Sequence, residues 1–298
     1  MLKPQNRIDP VIKWSGSKRR VAPTIGKLIP LSNRFIEPFV GGGAMLPFRG
    51  VEKAIASDII PELVELWIMI RDSPSELASR YEELWTKLQS NWEYYYVVRE
   101  RFNSDRNPID FLFLTRTCVN GLIRYNAKRE FNNSLHVTRP GINPATLRQI
   151  IFQWSYFVKN VDFRIADYRE TLKEADSNDI IFLDPPYGGT KGRYTQVEFN
   201  LIDFYSELER LNNLGAKWVL TFDGMAGDRN YSFPVPNDLY KHKIFLNTGN
   251  SPFTKMMRTT VDAVFESVYL NFEPSSELRC DLREKIDQKP TLFGNLDM

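Results

Sequence analysis

The run Ile180-Ile181-Phe182-Leu183 passes directly into Asp184-Pro185-Pro186-Tyr187. An uninterrupted apolar run of this length, closed by turn-forming residues, reads as a strand buried on both faces, as in parallel sheets covered by helices. The prolines end the strand because they lack the backbone donor a sheet ladder needs. Other segments repeat the plan. Arg34 to Phe39 runs into Gly41-Gly42-Gly43, Lys53 to Ser57 ends at Asp58, Val161 to Ile165 ends near Asp167, and Lys217 to Phe222 ends at Asp223. In an open α/β sheet, ligands bind outside the carboxyl ends of the strands. The acids and the glycine loop are therefore expected to converge on one crevice suited to a nucleotide-like ligand.

Between Pro61 and Asn160 the apolar spacing becomes helical, as in Leu63, Leu66, Trp67 and Ile70 and again in Leu77, Tyr81, Leu84, Trp85 and Leu88. The stretch Asn120 to Pro144, rich in Asn, Arg and Gly, reads as a hairpin or structured loop. The last clear strand is Ala263 to Asn271, after which Glu277 to Met298 reads as a short helix with a frayed end. With 39 basic against 37 acidic residues among 298, global charge neither demands nor excludes a polyanionic partner. Cys118, Cys280, His136 and His242 show no metal-ligand spacing, so no metal site is expected. The first residues carry Lys3, Arg7 and Asp9 without an apolar leader, and no run reaches the ~18 apolar residues of a membrane span, so a soluble, cytoplasmic protein is expected.

The proline-stiffened turn at Asp184 to Tyr187 leaves a carboxylate and outward-facing carbonyls that only accept hydrogen bonds, which suits an amine substrate. The N6 lone pair of adenine is delocalised into the ring; acceptors on its two hydrogens would draw the nitrogen toward tetrahedral geometry and release that pair. Tyr187 can stack on a base, which must leave the duplex to be reached. A rigid Pro-Pro turn with an aromatic plug is the purely structural alternative. Phe39, Gly41 and Gly43 belong to a loop that lets backbone approach a ligand closely, and Leu46 stands where a dinucleotide fingerprint needs its third glycine. Asp58 suits the hydroxyls of a ribose, or equally caps a helix ahead of Pro61. Trp14 and Lys18, in the segment Lys13 to Lys18, can pack on and pair with the carboxylate end of a cofactor; an ordinary basic loop is the alternative. From Arg116 to Arg139 the bases Arg116, Arg124, Lys128, Arg129 and Arg139 oppose only Glu130, and Asn120 and Asn126 lie among them. That mixture suits base edges and phosphates, whereas a charge run by itself is a solvated face. Lys191, Arg193, Lys255 and Arg258 are further phosphate candidates.

Together these motifs resemble the Dam-like D12 class, alpha group, of adenine-N6 DNA methyltransferases over about residues 8 to 272. Ile12 to Lys18 is similar to the family's K-W-x-G-x-K element, Glu37 to Gly43 to its E-P-F-x-G-x-G loop, and Asn120 to Asn126 with Glu130-Phe131-Asn132 to its N-G-x-x-R-[YF]-N…F-N signature. The resemblance implies a Rossmann-like methyltransferase sheet with an inserted, mainly helical target-recognition domain. Residues 1–60 and 145–274 would form the catalytic part, 61–144 the insert and 275–298 a charged tail. It implies S-adenosylmethionine as cofactor, held by Trp14, Lys18, Phe39, Gly41, Gly43, Asp58, Asp167 and Asp184, and catalysis by Asp184, Pro185, Pro186 and Tyr187. It implies double-stranded DNA as partner, contacted by Lys13, Asn120, Leu122, Arg124, Asn126, Lys128 and Arg139, with Lys13 and Arg124 on base edges. The segment Glu93 to Asn126 also resembles restriction-associated methylases, which favours a GAT-containing site and a cognate restriction endonuclease that is not directly bound. Two departures fall in the hairpin: Val119 replaces an aromatic, and Asn133-Ser134-Leu135-His136 replaces V-P-[FY]-G. The alternatives are a cytosine-N4 methyltransferase and a non-catalytic DNA-binding relative.

Overall fold

The computed structural model describes residues 8–139, 141–186, 199–226, 229–230, 235–250 and 263–274. Within them eight strands form one sheet: β1 (Arg34–Glu37), β2 (Ala54–Asp58), β3 (Val161–Ile165), β4 (Asp179–Leu183), β5 (Lys217–Ala226), β6 (Arg229–Asn230), β7 (His242–Asn250) and β8 (Ala263–Leu270). Their order is β3-β2-β1-β4-β5-β8-β7, with β6 paired to β5. The five strands from β3 to β5 are parallel, and β8 and β7 are antiparallel additions. The chain builds outward from β1 to β3, then returns to lay β4 on the other side of β1. That reversal opens a crevice at the carboxyl ends of β1 and β4.

The continuous apolar run of β4 follows from its central position. Ile180 and Phe182 join a core on one face of the sheet, while Ile181 and Leu183 join a separate core on the other. The eight α-helices are α1 (Ala22–Leu28), α2 (Pro61–Asp72), α3 (Pro74–Ser90), α4 (Tyr94–Asp105), α5 (Pro108–Thr117), α6 (Pro144–Val158), α7 (Tyr168–Leu172) and α8 (Leu201–Leu214), counted among the described residues. Asn107 and Asn143 cap α5 and α6 by accepting from amides in their first turns, and a proline follows each where no donor is needed.

Helices α2 to α5 and the hairpin that follows them occupy the segment expected as an insert, and packing does not break at residue 61. Trp67 of α2 stacks on Phe163 of β3 at 5.8 Å and lies 5.2 Å from Trp154 of α6, so one apolar core runs from the sheet into the helices. Isolated antiparallel bridges, Cys118 with Leu135 and Tyr125 with Phe131, hold the hairpin. Strand β1 stops at Glu37 rather than Phe39 because Pro38 cannot extend the ladder. Strand β7 was not anticipated: it lies on the outer edge, where Asn247, Thr248 and Gly249 interrupt the apolar pattern. The expected tail helix lies outside the described residues. Among those described, no helix is long and apolar enough to cross a membrane.

Candidate active site and recognition hairpin

A cavity of about 400 Å³ opens at the carboxyl ends of β1, β2 and β4, within the ~300–1,000 Å³ usual for cofactor sites. Its wall brings together Trp14, Lys18, Phe39, Gly41, Asp58, Asp167, Asp184, Pro185 and Pro186, drawn from opposite ends of the sequence. Gly41 has φ +44°, and a Cβ there would lie 2.6 Å from the Trp14 indole nitrogen. Its amide donates to Asp58 Oδ2 at 3.1 Å, and the Ile60 amide donates to Asp58 Oδ1 at 3.3 Å. Asp58 is thereby fixed at the end of β2 instead of capping α2, whose N-cap is Ile60. Loss of water pushes its carboxyl up to about 6, against the pull of those amides.

Gly43 stands behind the wall. At φ +62° it faces Trp67, where a Cβ would come within 2.7 Å of Cζ2, and the Trp67 indole N–H donates to the Gly41 carbonyl at 3.0 Å. The loop is thus set from behind by α2, a contact that local sequence does not reveal. On the opposite wall Phe39 stacks on Tyr168 with centroids 5.3 Å apart, and Asp167 caps α7 by accepting from the Arg169 amide at 3.0 Å. Glu37 is buried beside the cavity, with Oε2 lacking a hydrogen-bond partner among the described residues, and burial holds its carboxyl well above the usual range.

Asp184 is held at one oxygen. Lys18 Nζ lies 2.7 Å from Oδ1, and the Thr221 hydroxyl of β5 donates to the same atom at 2.9 Å. The Lys18 ammonium also lies 2.7 Å from Glu266 Oε1 on β8 and donates to the Gly16 carbonyl at 3.1 Å. Lys18 therefore lines the cavity, as its motif suggested, but its charge is engaged by two carboxylates of the chain. Burial pushes the Asp184 carboxyl up to about 6, Lys18 opposes the shift, and Glu266 adds to it. Thr221 and Glu266 were missed because each lies inside an apolar strand and meets Asp184 or Lys18 only through sheet pairing. Tyr187, Lys191, Arg193, Lys255 and Arg258 lie outside the described residues, as does the side chain of Asp223.

The hairpin projects from the end of α5. Asn120 takes φ +56°, Gly121 takes φ +64°, and a Cβ at Gly121 would overlap the Lys13 side chain, so Lys13 lies against this turn. Desolvation, followed by the neighbouring Arg116 charge, lowers the Lys13 pKa. Asn120, Leu122, Arg124, Lys128 and Arg139 are exposed. The Arg124 Nε donates to Asn132 Oδ1 at 2.9 Å, and Asn126 ties the turn by donating to Glu130 Oε2 at 2.7 Å and accepting from the Lys128 amide at 2.9 Å. Arg116, counted with the basic surface in sequence, is buried and donates to the Pro10 carbonyl. The surface charge of the segment is correspondingly smaller than its composition suggests. Asn133, at one of the departures, is also buried and donates to the carbonyls of Val119 and Leu122 at 3.0 and 2.8 Å. Among the described residues no cluster of His, Cys, Asp and Glu is placed to hold a metal ion.

The sequence profile of the D12 class N6 adenine-specific DNA methyltransferase family matches residues 14–253. A DNA adenine methylase of Haemophilus influenzae is 32% identical over 192 residues, 62% of this chain and 66% of that protein, so the match spans just under two thirds of the relative's length. Type II methyltransferase M.MjaIII of Methanocaldococcus jannaschii is 30% identical over 248 residues, 72% of this chain and 84% of the relative. Type II methyltransferase M1.LlaDCHI of Lactococcus lactis subsp. cremoris is 29% identical over 265 residues, 80% of this chain and 89% of the relative.

Proposed function

The chain belongs to the D12 class N6 adenine-specific DNA methyltransferases, and on that premise we propose that it moves a methyl group from S-adenosylmethionine to N6 of an adenine turned out of duplex DNA, at a GAT-containing site. The observation that carries the reading is the placement of Asp184. It ends the central strand β4 on the wall of a cavity shared with Asp58, and both described contacts fall on Oδ1. Oδ2 is left to accept a hydrogen from an incoming amine.

The cavity residues fit the cofactor. The Asp58 carboxylate would accept from ribose hydroxyls, Phe39 and Asp167 would flank the adenine, and Trp14 and Gly41 would form the close wall beside the remainder. When bound, the cofactor supplies a methyl group already activated on sulfur. The residues of the chain then have three tasks: to orient the amine, to accept its hydrogens, and to exclude water. Asp184 Oδ2 and the Pro185 carbonyl would accept hydrogen bonds from the two amine hydrogens, Tyr187 would stack on the base, and one amine proton would pass to solvent as the N–C bond forms and the S–C bond breaks. Orientation of this kind lowers barriers by roughly 7–11 kcal/mol in well-aligned systems. Lys18 is assigned to Asp184 rather than to the carboxylate of the cofactor. In the DNA-binding role, Lys13 and Arg124 meet base edges, Asn120 and Leu122 enter at the exposed turn, and Lys128 and Arg139 serve phosphates. Asn126 acts through the shape of the turn it ties. In this reading 61–144 is the recognition part, with α2 shared with the catalytic part.

The test is to incubate the protein with S-adenosylmethionine and mixed-sequence duplex DNA, map the modified bases and separate the methylated nucleosides chromatographically. N6-methyladenine at one recurrent sequence is expected. N4-methylcytosine would transfer the assignment to the other exocyclic amine, and absence of incorporation with several duplexes would mark a DNA-binding relative without transfer.

A further inference from the structure

The chemistry above uses Lys18 and Asp184 but gives no role to the third member of their cluster. Glu266 sits on β8, an antiparallel strand outside the parallel half of the sheet, and is only 7% exposed. A buried carboxylate opposite a buried ammonium is costly to place unless the two are paired. Here the ammonium is equidistant, at 2.7 Å, from Glu266 and Asp184. We propose that Glu266 is a positioning residue for methyl transfer: by drawing half of the Lys18 charge toward β8, it keeps Asp184 a strong hydrogen-bond acceptor for the amine. The inference rests on the reading of Asp184 given above.

The physical argument concerns how one positive charge is divided. Paired with Lys18 alone, Asp184 would be a neutralised and weakened acceptor. With Glu266 present, one ammonium faces two carboxylates, and Asp184 is the one that lines the cavity. Among the described residues the other groups facing Asp184 are Glu37 from the end of β1, whose own ionisation the Asp184 charge opposes, and the Thr221 hydroxyl from β5, which favours ionisation of Asp184. At equal distance from both carboxylates, the Lys18 charge is divided between Asp184 and Glu266. Burial and Glu266 together push Asp184 up to about 6, so methyl transfer is expected to fall as pH is lowered through that value. Removing the Glu266 charge takes away a neighbouring negative charge and leaves Lys18 to Asp184. Both effects stabilise the carboxylate and move its titration to lower pH.

The experiment measures single-turnover methyl transfer from saturating S-adenosylmethionine to saturating DNA between pH 5 and 8 (~0.5-unit steps across the titration range) for the wild type, Glu266→Gln and Glu266→Asp. For Glu266→Gln the acid limb is expected to move down by about one pH unit, a tenfold change in the ionisation ratio, while the plateau rate falls about 3–10-fold and cofactor affinity stays within about twofold. Glu266→Asp keeps the charge but withdraws it by one methylene, so it should move the limb the same way by less. It supplies the reading if the glutamine variant does not fold. Superimposable pH profiles would overturn the proposal, as would a variant whose rate drops by one factor at every pH, which is the signature of a merely structural residue. A wild type without methyl transfer would instead overturn the functional reading on which the proposal rests.

Discussion

In the cavity wall Asp184, Lys18 and Asp58 are held by partners from other elements of the fold, whereas in the hairpin Arg124 and Asn126 are bonded to neighbours along the chain. Asp184 is fixed by Lys18 and Thr221, and Asp58 by the amide of Gly41. Arg124 reaches Asn132 and Asn126 reaches Glu130, only eight and four residues away. The first arrangement exists only when the whole sheet has formed. The second can form within one short segment and be rebuilt by changing a few residues. On the proposed function, the catalytic geometry is therefore placed in the sheet, and sequence preference in the hairpin.

Substitutions in the two regions should differ in kind as well as in size. Asp184→Ala removes the acceptor, and methyl incorporation should fall by at least about 10³-fold while calorimetric cofactor affinity stays within a few-fold. Near-normal turnover would break the comparison at its strongest point. Gly41→Val forces a side chain onto Trp14 at a backbone angle that favours glycine, so cofactor affinity should fall about 100-fold with DNA affinity little changed. A variant that instead lost DNA and kept cofactor would place the loop in the other region. Arg124→Ala should lower kcat/KM on the mapped site by about 10–100-fold and relax preference at one base pair, the loss expected for a base-edge contact. A uniform loss on all duplexes would turn Arg124 into a phosphate contact. The smallest effect is expected from Lys128→Ala, a few-fold weakening on every sequence with the salt slope of binding reduced by about one.

Legibility in the sequence follows the same division. Strands β3 and β4 are readable because short-range pattern specifies them: alternation in β3, where Val161 and Phe163 are buried, and in β4 an apolar run that stops at Asp184 and two prolines. Gly41 and Asp58 could be placed at one crevice because strand ends converge in such a sheet. The Trp67 bond to Gly41 and the approach of Glu266 to Lys18 were not legible, since each joins residues 26 or more apart that only sheet order brings together. In the hairpin, residue types announced a polar surface but not its internal bonding. Arg116 and Asn133 look like surface groups in sequence, yet both are buried to hold backbone carbonyls. Strand β7 escaped notice because an edge strand can carry polar residues that a central strand cannot.

The Trp67 contact bears on how chimaeras of such enzymes could be made. Grafting a foreign recognition segment at residue 61 would exchange the ring that supports Gly43 and bonds to Gly41. On the proposed function, a graft of that kind would lose the methyl-donor site together with the old target preference. A junction beyond Asp72, after α2 has completed its contact with the loop, leaves the support in place and confines the exchange to the part proposed to read DNA.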